Sequence, residues 1–384
     1  MKTILLIPSV LKSPAVEATV EGKYPKMDYR ALAEALEQEK GTDAVILLDY
    51  GAVETASNPL VKTARQLLGR DAALALMGFL QARSGDVLFT NGENVGIPLA
   101  LLLGLLPRRP GHVTIGHRLS TGKKRLFFKW FKVHQRMDTI FLYARTQREF
   151  AVKELHIEPR RLKQIAFQAD TSFFRPDSSK AVENAVGGTL ISAAGLEWRD
   201  YPTLINAVKD MVGLTVKLAA ASPWSKHSNE TERVALPDHV TARRYPYDEL
   251  RDLYAASQLV AVPLYENDFQ AGVTTLLEAM AMGKPVIITQ TTGQTDVVTH
   301  GVNGITVPPG DVAAWKAAIQ KLREDDDLRQ RIGASARQWV EENASLTLWV
   351  QNMMQALRDA GQHRATETEG TATTPGNIRI GRAQ

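Results

Sequence analysis

The chain has 384 residues, 44% of them hydrophobic, more than one core usually organises, so two domains of about 180 residues each are expected. It contains no cysteine, which excludes a disulfide framework, a thiolate metal site and a thiol nucleophile and is compatible with a reducing cytoplasm. The net charge of +4 is a modest excess whose meaning depends on where it falls.

The first residues, MKTILLIPSVL, carry one lysine and an apolar run stopped by Pro8. The run is too short to span a bilayer and has no small-residue cleavage site, so Thr3–Ile7 reads as a buried strand. Further strands are predicted over Ala44–Leu48, Val87–Asn91, Val113–Ile115, Thr139–Leu142 and Lys163–Ala166. Helices are predicted over Asp28–Glu39, Ala72–Arg83 and Thr146–His156, with Gly and Pro marking the connections.

Most of the excess charge of this half falls between Arg118 and Arg136. There Lys123, Lys124, Arg125, Lys129 and Lys132 interleave with Leu126, Phe127, Phe128, Trp130 and Phe131, with no acid among them. A helix from about Gly122 would set Phe127, Trp130, Phe131 and His134 on one face. Lys123, Lys124, Arg125 and Trp130 would then suit contact with an anionic membrane surface. A core helix with its lysines in water fits the same residues. Nucleic acid is not expected as a partner, since no zinc spacing, recognition helix or RNP-like strand is present.

Arg175–Gly188 is polar, contains Pro176 and ends in two glycines, so residues 1–175 form the expected first domain and 176–188 the linker. Strands then recur at Leu190–Ala193, Thr215–Ala220, Val240–Arg243, Leu259–Val262 and Val286–Thr289, giving a second domain over 189–345. Strands alternating with helices in both halves predict an α/β architecture of parallel, helix-covered sheets. Thr347–Ala360 is helical by pattern, and 363–384, nearly free of apolar residues, is expected to be a disordered tail.

The most informative stretch is PLYENDFQAGVTTLLEAMAMGKPVIIT, Pro263 to Thr289. It reads as the end of a buried strand, a tight turn at Gly272, a helix over Val273–Met282 and the next parallel strand. The free N–H groups of such a helix start favour an anion, most simply a phosphate. Glu278 stands between Leu277 and Ala279 in an apolar run, where a lone carboxylate needs a hydroxyl or N–H partner. Residue by residue, an ordinary strand–turn–helix with one solvated Glu would explain the stretch as well.

This stretch resembles the donor-binding signature of the retaining family 4 glycosyltransferases, a Glu, seven residues and a second Glu. Glu278 matches the second, and Gln270 occupies the first position. DVLFTNGENVGIPLALLLGLL followed by HVTIGH is similar to the family's acceptor-side segment and places His117 at its strand-end histidine; Arg118 stands where many members have Asp. YARTQREFAVKELHIEPRRLKQIAFQADTSFFRP matches the segment before the linker. LISAAGLEWRDYPTLINAV occupies the diphosphate loop, with Arg199 at the family's Lys and Ala194 at its Arg. Asp296, Gly301, Gly304 and Asp311 continue the signature. The family's Gly pair after the first strand is absent, so nothing is carried over near Lys23–Asp28.

The resemblance covers most of the chain and implies the GT-B fold, two doubly wound Rossmann-like domains facing a cleft, with a helix over 346–362 crossing back to the first. It implies retaining transfer of a hexose-type sugar from a nucleoside diphosphate sugar, UDP foremost, to a hydroxyl of a glycan, lipid or small molecule. His117 and Gln270 would be catalytic. Arg199, Gly272, Val273, Thr274, Thr275 and Glu278 would hold the donor, with Arg244, beside Arg243, restoring the charge missing at Ala194. An amide at 270 cannot be a carboxylate nucleophile, so a front-face route is implied.

No metal or other cofactor is expected, since the eight histidines show no HExxH spacing and no Asp-x-Asp pair ends a strand. The implied location is cytoplasmic, free or peripheral at the inner face of the membrane. Two other readings stand beside this one: a nucleotide-sugar epimerase on the same fold, and a non-catalytic subunit, suggested by Ala194 and Gln270.

Overall fold

The computed structural model describes residues 1–11, 18–19, 21–177, 188–220 and 236–370, with backbone only over 365–370. Twelve strands are found among these residues: β1 Thr3–Ile7, β2 Val45–Asp49, β3 Val87–Thr90, β4 Gly111–Gly116, β5 Thr139–Leu142, β6 Leu162–Gln164, β7 Thr189–Ala194, β8 Leu214–Ala219, β9 Val240–Ala242, β10 Leu259–Val262, β11 Val286–Thr289 and β12 Ile305–Val307. The α-helices of the first half are α1 Asp28–Lys40, α2 Tyr50–Glu54, α3 Pro59–Leu68, α4 Arg70–Gln81, α5 Glu93–Leu103, α6 Gly122–Lys129 and α7 Arg145–Lys153. Those of the second are α8 Tyr201–Val208, α9 Tyr247–Ala256, α10 Val273–Ala281, α11 Val312–Glu324, α12 Asp326–Asn343 and α13 Leu346–Gly370.

The strands form two parallel six-stranded sheets, ordered β2-β1-β3-β4-β5-β6 and β12-β11-β10-β7-β8-β9. Their central strands, such as β1, β3, β10 and β11, are buried along their whole length because helices cover both faces. In each sheet the strand order reverses once, between β1 and β3 and between β7 and β10. Outside the carboxyl ends of the strands at such a reversal, helices depart to opposite faces and leave a crevice. The fold is α/β with two doubly wound domains, the GT-B arrangement.

The strand expectations hold to within a few residues at each end. β12, α2, α3 and α9 were not among the elements read from the sequence. The helix expected from Gly122 ends at Lys129, because Lys132 adopts a left-handed conformation (φ 48°). His134 therefore leaves the proposed amphipathic face and is buried, stacked against Phe128.

Ala169, Phe173 and Phe174 precede the expected linker, yet they sit in the core around α10 and β10, so the second domain begins to pack before residue 176. Of the linker, 178–187 lies outside the described residues. After α12 the chain returns to the first domain, where Leu346, Trp349, Val350, Met353 and Leu357 of α13 pack with Leu5, Leu32 and Val113. Its backbone stays helical to Gly370, so the tail expected from residue 363 is corrected over 363–370. Residues 371–384 lie outside the described residues.

Candidate functional site

The reversal between β7 and β10 opens a cavity of about 380 Å³. Arg199, Gln270, Gly272, Val273, Thr274, Thr275 and Glu278, read one by one from the sequence, all line it. Gly272 turns the chain into α10 with φ 75°, where an added Cβ would lie 2.9 Å from Val262 Cγ1. The turn leaves the first-turn N–H groups of α10 without intrahelical acceptors, and Thr274 and Thr275 present this end of the helix to the cavity.

Arg199 is only 7% exposed. Its Nε donates to the Ala194 carbonyl at 2.8 Å, Nη1 to the Glu197 carbonyl at 2.9 Å and Nη2 to Thr275 Oγ1 at 3.1 Å. A guanidinium has five N–H donors, so one remains on each terminal nitrogen. Burial lowers its pKa, opposed by Tyr201, Tyr254 and the nearby carboxylates, which leaves the charge in place. This cation is built into the cavity wall with two donors uncommitted.

Gly195 makes room for it. At φ 96° an added Cβ would collide with Arg199 Nη2, so Gly195→Ala must both strain the backbone and displace the guanidinium. We expect that variant to lose about 1–3 kcal/mol of stability, read as a lowered unfolding midpoint in urea. Gly22→Ala, at φ 71° with open space around its Cβ, would isolate the backbone part of that loss.

Glu278 is 6% exposed and accepts a hydrogen bond from the Tyr254 hydroxyl, 3.2 Å from Oε2. Burial pushes its pKa up to about 8, against the Tyr254 hydrogen bond and the Arg199 charge, which act to lower it. The partner that the apolar run required is thus a tyrosine on α9. Burial, with Glu278 next, raises the Tyr254 and Tyr247 pKa values, so both phenols stay protonated.

Gln270 stands at the boundary between the domains. Its Nε2 donates to the Tyr143 carbonyl of the first domain at 3.4 Å, while its Oε1 is buried with no hydrogen-bond partner. The Tyr143 ring lies 5.5 Å from that of His117, centroid to centroid. One residue therefore links the two expected catalytic side chains across the cleft.

His117 follows β4, with its ring open to the cleft and its backbone N–H donating to Glu93 Oε2 at 2.8 Å. Partial desolvation lowers its pKa, opposed by Glu93 and Asp28. Glu93, in the first turn of α5, also accepts from Arg118 N at 3.1 Å and Lys124 Nζ at 2.5 Å. Burial would raise its pKa, but Lys124 and the His117 contacts hold it below the usual carboxylate range. Asp28, at the start of α1, is pushed up by burial despite hydrogen bonds from Tyr29 N and from the Asn91 and Gln168 side chains. Asp28, Glu93, Tyr143, Tyr247 and Tyr254 were not among the residues singled out from the sequence. The signals available were an acid in the first turn of each of two helices and tyrosines seven apart on α9.

Two sequence expectations change. Arg244 is exposed and does not line the cavity, and Arg243 is committed to Glu249 at 2.8 Å and stacked on Tyr245, so neither supplies the charge missing at Ala194. Lys124 turns inward to Glu93 and is not free for a membrane, while Arg125 lies over the Phe150 ring and pairs with Glu154 at 3.8 Å. Lys123 is exposed and Trp130 is 79% exposed. Arg118, where the family has Asp, instead bridges the cleft to Asp268 at 2.8 Å. Among the described residues no three His, Asp or Glu side chains are grouped to hold a metal ion, and no helix is long and apolar enough to cross a membrane.

Residues 206–339 match the family described as Glycosyl transferases group 1. A D-inositol 3-phosphate glycosyltransferase of Corynebacterium efficiens is 26% identical over 218 residues, 51% of this chain and 51% of that protein. The chain thus spans about half the length of that relative, and 21% of a similar one from Corynebacterium jeikeium. Among solved structures, a glycosyltransferase from Rickettsia africae superposes with TM-score 0.68 at 16% identity, covering 94% of this chain and 98% of that one. Anabaena HepE in complex with UDP-glucose superposes with TM-score 0.65 at 18% identity, covering 94% and 100%. The similarity to the group 1 glycosyl transferases thus covers residues 206–339 of the second domain, and the likeness to solved glycosyltransferase structures covers the two-domain fold as a whole.

Proposed function

We propose that this protein is a retaining glycosyltransferase that moves a hexose-type sugar from a nucleoside diphosphate sugar, UDP foremost, to an acceptor hydroxyl. The observation that carries the reading is the cavity at the β7/β10 reversal, where Arg199, the α10 N-terminus and Glu278 meet one another. The diphosphate takes the two remaining Arg199 donors and the free amides of α10, which favour negative charge as it develops on the leaving group. Glu278 takes the ribose hydroxyls. Gln270, whose Oε1 has no protein partner, takes a sugar hydroxyl, and His117 approaches the sugar from the first domain. The UDP-glucose complex of HepE supports UDP as the first nucleotide to test.

An amide at 270 supplies no nucleophile for a double displacement. The acceptor then attacks on the face the diphosphate leaves, with the departing phosphate taking the acceptor proton. Thermal stabilisation across a panel of nucleotide sugars tests the donor, since a ligand bound to the native state raises the melting point. The product's anomeric proton coupling tests the stereochemistry. Nucleotide binding without turnover on any acceptor would favour the non-catalytic subunit, and an epimerised nucleotide sugar would favour the epimerase.

The acceptor is a glycan, a small molecule or a lipid-linked hydroxyl, and a peripheral membrane location is proposed for the last case. Leu126, Trp130 and Phe131 are 49%, 79% and 61% exposed beside the exposed Lys123, Lys129 and Lys132. An aromatic pair rimmed by lysines suits an anionic interface, each cation contributing about 1 kcal/mol there. Flotation with phosphatidylglycerol vesicles should carry the protein up, and Trp130→Ala with Phe131→Ala should leave it at the bottom. Equal flotation of both would sink this location.

A further inference from the structure

A second cavity, of about 1020 Å³ against about 380 Å³ at the β7/β10 reversal, lies away from the cleft. It sits where β5 and β6 begin, against Arg109 just before β4 and the end of α13. The cleft lies at the other ends of the same strands, about 10–20 Å away at the rise of a β-strand. Nothing in the transfer reaction uses this region.

Its walls are cationic. Arg108, Arg109, Arg136, Arg160, Arg161 and Arg364 line it together with Lys163, against Asp138 and Asp359 as the lining carboxylates. Adding Glu158, just outside, sets seven permanent cations against three carboxylates. Asp138 is already saturated: Arg109 holds it in a fork with two bonds of 3.0 Å, His112 N donates to it at 2.8 Å, and Arg364 pairs with it as well. Asp359 is held by Lys163 at 3.2 Å. Arg160 takes Glu158 at 2.6 Å.

That leaves cations with capacity to spare. Arg161 donates from Nη1 to the Met137 carbonyl at 2.8 Å, but its Nε is buried with no hydrogen bond, Glu158 Oε2 being 3.6 Å off. Arg136 has no hydrogen bond or ion pair from its guanidinium among the described residues. The guanidiniums also press on one another. Burial weakens the hold of Arg109 on its proton, Asp138 opposes that, and Arg364 and Arg161 add to the effect of burial. A concave site with surplus guanidiniums and an unsatisfied buried N–H is completed by an anion of several oxygens, which arginine forks bind in pairs.

We propose that this cavity is a second anion site of the protein, separate from the nucleotide cleft, which takes a ligand bearing phosphate groups. Its volume accepts a small diphosphate or a phosphorylated headgroup, and its polar walls favour neither a nucleobase nor an acyl chain. The phosphate is either free in solution or carried by a lipid, and the two sources are separable by experiment.

The test is calorimetric titration of the full chain with inorganic pyrophosphate in saturating UDP, alongside flotation with phosphatidylglycerol and phosphatidylcholine vesicles. Arg108→Glu with Arg136→Glu removes two lining cations at positions of partial or full exposure. As control, Lys316→Glu with Lys321→Glu makes the same charge change on α11. Pyrophosphate binding that weakens about tenfold or more in the first pair and persists in the control assigns a soluble ligand. Phosphatidylglycerol-dependent flotation lost in the first pair alone, without pyrophosphate binding, assigns a headgroup. If neither measurement separates the first pair from the control, the cavity is not an anion site and the proposal falls.

Discussion

Glu278→Ala is expected to cost roughly 2–4 kcal/mol of nucleotide affinity, about thirty- to a thousandfold in Kd, in a protein that still folds. The carboxyl group sits at the inner end of the cavity with the Tyr254 hydroxyl as its neutral partner, so truncation leaves the ribose hydroxyls facing alanine and an orphaned phenol. Unchanged UDP affinity by calorimetry would remove Glu278 from the donor site. The raised pKa adds a pH signature. In the free protein, with a pKa of about 8, Glu278 is mostly protonated at neutral pH, whereas ribose hydroxyls donate best to the carboxylate. Binding should therefore expel a proton, and affinity should rise as pH climbs from about 6 to 9.

The same shift has the opposite sign for folding. A carboxyl whose pKa is higher in the folded chain than in the unfolded one stabilises fully below the unfolded value of 4.5, and that contribution is lost as pH rises through about 8. Glu278→Gln removes the titration. The melting point of the variant minus that of the natural chain, without nucleotide, should grow between about pH 5 and pH 9. A flat difference would mean that Glu278 ionises freely.

Gln270→Ala is the second large effect: turnover should fall by about one to three decades while UDP affinity stays within a factor of a few. The side chain lines the cavity, touches the first domain through the Tyr143 carbonyl and keeps a buried Oε1 without a hydrogen-bond partner. A hydrogen bond that strengthens in the transition state changes turnover and not nucleotide binding, at about 1.4 kcal/mol per decade. Gln270→Glu keeps an acceptor in that place and should retain appreciable activity. Equal losses in turnover and UDP affinity would make Gln270 a nucleotide contact. An inverted anomer from any active variant would overturn the front-face route.

Both sheets were legible because parallel strands covered on two faces are continuous apolar runs, as in Ile4–Ile7 and Val260–Val262. The cavity was legible at α10, where glycine, helix start and one carboxylate are local in sequence. What was not legible depends on pairs distant along the chain. Glu278 needed a hydroxyl, but that it would be the one on Tyr254 follows only from how α9 packs. The inward turn of Lys124 is decided by Glu93, thirty-one residues earlier. Arg199 was singled out by its position in the loop after β7, yet its place as a buried wall with three of its donors spent depends on Gly195 and Thr275. His134 was misplaced because Lys132 adopts a left-handed conformation that its residue type does not announce. The end of α13 was set too early because a polar composition was read as disorder, where the backbone simply continues the helix.

The two chain crossings between the domains lie side by side. Ala169 donates its N–H to the Ala344 carbonyl and accepts from Leu346 N, both at 2.9 Å, so the outgoing and returning segments are stitched at one point. Two covalent connections joined there behave as the pin of a door. Twisting or sliding one domain against the other would tear the stitch, whereas swinging about it strains the contacts across the cleft: Arg118 with Asp268, the Tyr24 ring on Tyr247, Arg145 N with Asp296 and Gln270 Nε2 with the Tyr143 carbonyl. Of these, the exposed ionic contacts of Arg118 and Arg145 release cheaply. The proposed donor and its product would then enter and leave by a swing about this pin, each closure returning His117 and Gln270 to the same register.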